Sequence, residues 1–301
     1  MNLLAFDLGG RSVKYSLWTN NQLIETNSFP TPDTWDGMQA ELLKVKSHFE
    51  KDHTLDGAAF SCPGCVDHKE DIVGGYCAIR YIHDIKIKKE LSQLLDLPVA
   101  VENDANCAAL AEVWTGVAKG VKNALFIVVG TGVGGAVVAD GKIHAGTHLY
   151  GGEFGLMYMN VDGAPRQQNL SGLGTAVCMA ERYCDRKGVP HLTYTGVDVF
   201  ELAEQGDDIA KEEVETFYKY LSLGLFNLQV SFDPEVMIIG GGISANKAII
   251  TTLNERVNKL LLGANVREFK ANILACQYKN DANLLGAIKN FYDRVGLASH
   301  G

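Results

Sequence analysis

The sequence has few prolines and no long uninterrupted apolar run. Seven prolines are spread over 301 residues, so no proline-rich linker marks a domain boundary. The uncharged run from Ala124 to Ala139 contains four glycines and is short for a membrane span. Residues 1–10 lack a cationic region and do not have the pattern of a signal peptide. From these absences we expect a cytoplasmic protein that does not contact a membrane.

Basic residues and cysteines are also scarce. Lysine and arginine number 27 against 36 aspartate and glutamate residues, which gives a formal net charge of -9. Binding along a nucleic-acid backbone favours a basic face, so we expect no nucleic-acid partner. The seven cysteines are odd in number and scattered, unlike the dense, even set of a disulfide scaffold. With 47% hydrophobic and 21% charged residues, the composition is that of an ordinary globular protein.

Two segments carry a weak internal repeat. Residues 3–24 and 124–143 each read as an apolar strand, a glycine-rich turn, a second strand, a further turn and a third strand. Two similar β-meanders suggest a duplicated domain, and the chain length also suggests two domains. We predict a smaller domain over 1–113 and a larger one over 114–282, with a helix at about 283–301 that packs back on the first.

Helices and further strands follow both meanders. Apolar residues at helical spacing predict helices, and short apolar runs predict buried strands. The predicted helices lie near 34–51, 91–95, 107–114, 170–188, 209–232, 246–262 and 283–295, and the predicted strands lie at 55–60, 99–101 and 236–239. Strands mixed with helices in both halves predict an α/β fold, with a cleft between the domains as the default ligand site.

The first turn of each meander is a candidate phosphate site. In DLGGRS at 7–12, glycines allow backbone N–H groups to approach an oxyanion, and Asp7 could hold a metal ion through water. A plain hairpin turn explains the same residues. In GTGVGG at 130–135, a strand follows where the dinucleotide-binding pattern requires a helix, so we reject that pattern. We interpret this segment as a second phosphate-binding hairpin with the Thr131 hydroxyl as an additional donor.

Two further loops present carboxylates. ENDAN at 102–106 places Asp104 between a strand and a helix, where the helix dipole favours an ionised carboxylate that could accept a proton from a hydroxyl. A helix N-cap is the alternative for these residues, and the two phosphate turns favour the base. GGEFG at 151–155 presents Glu153 either to a polyol or to solvent.

The pair Cys62 and Cys65 forms a CxxC motif around Pro63 and Gly64. Such a motif serves as a redox pair or as half of a zinc site. No second CxxC or nearby histidine pair completes a metal site, and a loop follows where a redox motif needs a helix. We expect a Pro-Gly turn that shapes a pocket.

Taken together and in order, these motifs resemble the ROK family of sugar kinases and related repressors, within the larger actin, Hsp70 and hexokinase fold. The motifs are DLGGRSVK at 7–14, SCPGCVD at 61–67, ENDAN at 102–106, GTGVGGAVV at 130–138, GGEFG at 151–155 and IGGGIS at 239–244. The resemblance runs nearly end to end. It implies a two-domain, ribonuclease H-like α/β fold with an interdomain cleft, a homodimer, and ATP- and Mg²⁺-dependent phosphorylation of the 6-hydroxyl of a hexose or β-glucoside.

The resemblance also implies roles for individual residues. Asp104 is the catalytic base, and Asp7 lies near Mg²⁺, bound through water. The implied sugar-binding residues are Gly64, Asn103, Asp104 and Glu153. The implied ATP-binding residues are Asp7, Gly9, Gly10, Arg11, Lys14, Thr131, Gly132, Gly241 and Gly242.

The sequence departs from the family pattern at three places. Arg11 stands where the family usually has threonine, and Leu156 stands where many members have histidine. The cysteine-rich zinc motif is absent because residues 160–174 contain no cysteine, so we expect a zinc-free subtype. His148 is a candidate replacement for the missing histidine. Loss of that histidine leaves room for a substituent on the sugar and favours β-glucosides.

Other functions share this fold. A sugar-responsive repressor needs a DNA-reading segment, and only six residues precede Asp7, so we expect none. A sugar-sensing regulator without that segment is a second alternative, and an actin-like filament or chaperone ATPase is a third, although the ENDAN and GGEFG motifs disfavour the latter. Within the family, an N-acetylmannosamine kinase or another hexose kinase is the alternative to a β-glucoside kinase.

Overall fold

The computed structural model describes residues 1–75, 77–83, 85–164, 168–278 and 281–295. It divides into two compact units. The first unit contains Met1–Gly116, Ala145–Tyr150 and the C-terminal helix, and the second contains the described residues of 117–144 and 151–279. In the described parts of the chain, no helix is both long and apolar enough to cross a membrane.

The first unit is built on a five-stranded sheet with the order β3-β2-β1-β4-β7. β1 pairs antiparallel with β2 and parallel with β4, which in turn pairs parallel with β7. A separate two-stranded hairpin joins β5 and β6. The strands are β1 (Leu3–Leu8), β2 (Ser12–Thr19), β3 (Gln22–Pro30), β4 (Gly57–Cys62), β5 (Cys65–Asp67), β6 (Ile72–Gly74) and β7 (Val99–Asn103).

Helices cover this sheet. The buried residues of the first helix recur at helical spacing, as predicted, and its N-cap is Thr34. The C-terminal helix, α9, packs against α3, β4 and β7, all in the same unit. The helices of this unit are α1 (Trp35–Phe49), α2 (Ile87–Leu95), α3 (Asp104–Trp114) and α9 (Ala282–Val295).

The second unit repeats the same topology. Its sheet has the order β10-β9-β8-β11-β12, with an antiparallel meander followed by two parallel strands. The repeat seen in the sequence therefore extends beyond the meanders to the parallel strands. The strands are β8 (Ala124–Val129), β9 (Val133–Ala139), β10 (Lys142–Ile143), β11 (Val236–Gly240) and β12 (Ile273–Ala275).

One helix prediction in the second unit is wrong. The single helix expected over 170–188 is two helices. The first ends at its C-cap, Gly174, and the second begins after its N-cap, Thr175. The Thr175 hydroxyl donates to the Ser171 carbonyl and accepts from the backbone N–H of Cys178, so it caps the second helix. The helices here are α4 (Leu170–Leu173), α5 (Ala176–Lys187), α6 (Gly196–Glu204), α7 (Asp208–Phe232) and α8 (Lys247–Gly263).

Candidate active site

The carboxyl ends of three parallel strands gather the polar residues of the first unit. In the sheet register, Asp7 of β1 lies opposite Ser61 of β4, which lies opposite Glu102 of β7. The next pair across β4 and β7 is Cys62 and Asn103. Because parallel strands end at the same edge of a sheet, the turns that follow them lie together at the edge where sheets of this kind commonly bind ligands.

Asp7 lies beside Ser61 and Asn283. Its Oδ1 accepts hydrogen bonds from the Ser61 hydroxyl at 2.9 Å and from the Asn283 amide at 3.1 Å. Burial raises the pKa of Asp7, although these two hydrogen bonds and the charge of Lys14 act in the opposite direction. A cation at this carboxylate would stabilise its charged form.

Asp104 is the first residue of α3, and Asn103 is the N-cap. Asn103 therefore fills the role of helix N-cap that the sequence offered as the alternative for this motif. Its Oδ1 accepts a hydrogen bond from the backbone N–H of Asn106 at 3.1 Å. The Oδ1 of Asp104 accepts from the Asn103 amide at 2.9 Å and from the backbone N–H of Ala105 at 2.8 Å. Burial raises the pKa of Asp104 to about 6, and the charge of Asp7 also raises it. A carboxylate with this pKa is a suitable proton acceptor near neutral pH.

The Pro-Gly turn between β4 and β5 contacts the same helix start. The Asn103 amide donates to the Gly64 carbonyl at 2.9 Å, so one side chain joins this turn to Asp104. None of the seven cysteines, all of which lie in the described residues, forms a disulfide bond. Burial raises the pKa of Cys62 well above its usual value, which disfavours the reactive thiolate. The turn is therefore tied to the start of α3, and its role in shaping a pocket stays a prediction.

The glycine turn between β1 and β2 is exposed at its tip. Gly9 donates its N–H to the Ser12 carbonyl at 3.1 Å, while Gly10 and Arg11 are exposed. Lys14 follows on β2, directly opposite Asp7 in the register. The turn therefore places exposed backbone groups near Asp7, and the strand that follows places the Lys14 ammonium group beside it.

Two glycine turns of the second unit lie at one edge of its sheet. Thr131 and Gly132 follow β8, and Gly241 and Gly242 follow β11, which is parallel to β8. Gly241 has a φ of +81°, and a Cβ there would come within 2.2 Å of the Val129 carbonyl oxygen. Only glycine permits this approach, so the end of β11 packs directly against the end of β8.

The loop that carries Glu153 packs on β9. A Cβ on Gly152 would meet the backbone of Gly135, and a Cβ on Gly155 would meet the Val133 carbonyl oxygen. The backbone of this loop is therefore fixed, while the Glu153 side chain is exposed. Leu156 follows at 56% exposure.

His148 belongs to the first unit and is exposed. Its proposed replacement of the missing histidine stays a prediction.

Sequence reasoning missed several residues that support these groups. Ser61 and Asn283 donate hydrogen bonds to Asp7. Glu102 accepts a hydrogen bond from the backbone N–H of Asn103, next to Asp104. In the second unit, the Ser171 hydroxyl accepts the Val133 N–H at 2.9 Å and so fixes the end of the 130–132 turn. Ser61 and Glu102 stand inside motifs that the sequence had singled out. No local pattern marks Asn283 or Ser171, because their partners are distant in the sequence.

Metal-binding clusters are absent from the described residues: they contain no group of three or more His, Cys, Asp or Glu side chains that could hold a metal ion. A single carboxylate such as Asp7 suits Mg²⁺, which keeps several of its own waters.

The chain is similar to known proteins over nearly its whole length. The sequence model of the ROK family matches residues 3–293. A β-glucoside kinase of Listeria monocytogenes is 32% identical over 294 residues, which is 97% of each chain.

Two solved structures are also similar to this chain. A ROK family protein of Streptococcus pneumoniae, in complex with sucrose, has a TM-score of 0.89 and 31% identity, and the match covers 99% of this chain and 100% of that one. A ROK hexokinase of Thermus thermophilus has a TM-score of 0.85 and 26% identity over the same shares of the two chains.

Proposed function

The chain belongs to the ROK family and is a sugar kinase, and we propose that it transfers a phosphoryl group from ATP to the 6-hydroxyl of a hexose or β-glucoside. The observation that carries this proposal is Asp104, a carboxylate at the start of α3 whose pKa burial raises to about 6. A base of this strength is ionised at neutral pH and still accepts a proton in the transition state.

In this mechanism, Asp104 accepts the proton of the attacking hydroxyl. Asn103 orients the Asp104 carboxylate through its amide, and its Oδ1 keeps a second lone pair for a sugar hydroxyl. Gly64 borders the same pocket through the turn that Asn103 binds. Phosphoryl transfer depends mainly on such positioning and on charge neutralisation.

The glycine turns bind the nucleotide in this proposal. Backbone N–H groups of Gly9, Gly10 and Gly132, with the Thr131 hydroxyl, donate to phosphate oxygens. Arg11 and Lys14 add positive charge. The exposed turn of Gly241 and Gly242 lies beside the adenine.

Asp7 would hold Mg²⁺ through water, because its carboxylate is half-buried and a nearby cation would stabilise its charged form. When bound, Mg²⁺ neutralises charge on the phosphates. Zinc is not part of the proposal, and the protein is expected to act in the cytoplasm as a homodimer.

Similarity to a β-glucoside kinase of Listeria monocytogenes, together with Leu156 in place of a histidine, favours a β-glucoside over a free hexose as the substrate. A coupled assay with ATP, Mg²⁺ and a panel of glucose, mannose, N-acetylmannosamine and cellobiose tests this directly. Cellobiose should give the highest kcat/KM. Turnover of N-acetylmannosamine or glucose above cellobiose would contradict the substrate assignment. Sugar binding without turnover of any sugar would instead support a sugar-sensing regulator.

The rate should fall at acidic pH because Asp104 must be ionised. With a pKa of about 6, the carboxyl is protonated below that pH, and kcat/KM for the sugar should drop about tenfold per pH unit there. The measurement is kcat/KM for the sugar across the pH range at saturating ATP. A profile that stays flat down to about pH 5 would contradict Asp104 as the base.

Glu153→Gln should weaken sugar binding and leave ATP binding nearly unchanged. The substitution removes a charged acceptor for sugar hydroxyls, and such hydrogen bonds contribute about 1.5–3 kcal/mol. Because the Glu153 side chain is exposed, we expect no loss of stability. Titration calorimetry with sugar and with ATP separates the two effects. Glu201→Gln, an exposed glutamate of the same unit, is the matched control and should change neither affinity.

Leu156→His should change the preference among sugars more than the total activity. Leu156 is 56% exposed, so a histidine is accommodated without a change in the core. An unpaired polar group discriminates between substrates more strongly than a spare apolar one. The ratio of kcat/KM between glucose and cellobiose measures the effect, and an unchanged ratio would show that residue 156 does not contact the sugar.

A further inference from the structure

Glu102 is a buried carboxylate that the mechanism above does not use. Its side chain is only 4% exposed, yet it is surrounded by donors. Oε1 accepts from the backbone N–H of Asn103 at 2.8 Å and from the Asn106 amide at 3.0 Å. Oε2 lies 3.0 Å from His68 Nε2 and 3.5 Å from an Arg294 guanidinium nitrogen. A buried charge is tolerated only with such partners.

These partners come from three separate segments of the first unit. His68 directly follows β5, and Arg294 is near the end of α9. Asn103 is the N-cap of α3, and Asn106 lies in the first turn of that helix. Burial alone would raise the pKa of Glu102, but the hydrogen bond and charge of His68, with the Asn106 and Asn103 hydrogen bonds, leave it below the usual value. The group is therefore ionised at neutral pH. It accepts hydrogen bonds from Asn103 and Asn106, and it pairs with His68 and Arg294.

The bonds of Glu102 lead directly to Asp104. Its Oε1 fixes the backbone N–H of Asn103, and the Asn103 amide in turn donates to Asp104. The second Oε1 bond holds the side chain of buried Asn106, one turn into the same helix. Without this oxygen, the buried Asn106 amide and the half-buried Asn103 N–H would lose their acceptor, a loss that we expect to rearrange the turn.

From this geometry we propose that Glu102 is a positioning residue, which holds the Asn103–Asn106 turn so that the Asp104 carboxylate faces the sugar hydroxyl. This inference rests on the proposed function of Asp104. A displacement of about 1 Å at a reacting group can cost about 100-fold in rate. Glu102 itself touches neither substrate in this proposal, and its effect is transmitted through Asn103.

The test compares two buried glutamates of one helix region. Glu102→Ala should lower kcat by about 10–100-fold, with the KM for ATP nearly unchanged. Glu112→Ala is the matched control, since Glu112 is also buried and lies on α3, the helix that Asp104 begins, but eight residues beyond Asp104. It should lower the Tm and leave kcat per folded active site near that of the wild type. Titration with ATP gives the concentration of folded sites.

The conservative variant separates positioning from packing. Glu102→Gln keeps an acceptor at the Oε1 position, which bonds the Asn103 N–H and the Asn106 amide, and it loses only the Oε2 contacts with His68 and Arg294. It should therefore retain most of the wild-type kcat. If Glu102→Ala does not fold, Asn106→Ala removes one of the two Oε1 contacts and should still lower kcat severalfold.

Wild-type kcat in folded Glu102→Ala, or in Asn106→Ala if only that variant folds, would overturn the positioning role while the proposed function stands. An equal loss of kcat in Glu112→Ala would overturn it too, because the effect would then follow general stability. Absence of sugar phosphorylation by the wild-type protein would instead overturn the proposed function, and the inference with it.

Discussion

Asp104→Asn should lower kcat by about 10²–10⁴-fold, the usual loss when a general base is removed. Sugar and ATP affinities should stay close to those of the wild type, because the amide has nearly the same shape. Asparagine also keeps the Oδ1 acceptor, which bonds the Asn103 amide and the Ala105 N–H. The measurement is a coupled assay with both substrates saturating, together with calorimetric titration of each ligand.

The same variant should be more stable than the wild type at neutral pH. The folded-state pKa of Asp104, about 6, lies above the ordinary value of 3.8. The folded protein therefore binds more protons than the unfolded chain between these values, and stability is lost as the pH rises through that window. An amide does not ionise, so Asp104→Asn should raise the Tm above pH 6 and have little effect near pH 4.

Asp96→Asn is the matched control for this experiment. Asp96 is an exposed residue of the first unit in the left-handed region, which asparagine also adopts. It should change neither kcat nor the pH dependence of the Tm. Turnover of Asp104→Asn near the wild-type level would contradict the assignment of the base.

Gly286→Ala should strongly destabilise the first unit. A Cβ on Gly286 would come within 1.7 Å of the Cys107 carbonyl oxygen and 2.2 Å of its carbonyl carbon. These are backbone atoms of α3, which cannot move aside as a flexible side chain can, so α9 must shift away from α3. We expect a cost of about 3 kcal/mol, and thermal unfolding should show a fall in Tm of about 6–12 °C.

Gly263→Ala is the same substitution at an unconstrained position. Gly263 is the last residue of α8, and nothing lies within 4 Å of a Cβ placed there. Alanine should leave the Tm unchanged or raise it slightly, because it is the better helix former. A Tm for Gly286→Ala equal to that of Gly263→Ala would show that the helices do not pack as closely as described.

The sequence alone predicted the features that depend on local chemistry. The glycine turn at 9–11 and the helix start at Asn103 and Asp104 were visible because turns and caps use a few residue types at fixed spacings. Periodicity likewise predicted α1 and α7. It failed at Gly174. The apolar pattern continues through this residue, but α4 ends there and α5 begins two residues later. Leu170 and Leu221 leave no room for a side chain at Gly174.

Only the tertiary structure decided which distant residues support the site. Asn283 bonds Asp7 across 276 residues of sequence, and Arg294 reaches Glu102 from the end of the last helix. No periodicity or motif encodes such pairs, because they arise when α9 packs on the sheet of the first unit. The sequence determined which side chains carry the chemistry, since reactivity belongs to the residue type. The fold determined their burial and partners, and these set the pKa of Asp104 and the geometry of its turn.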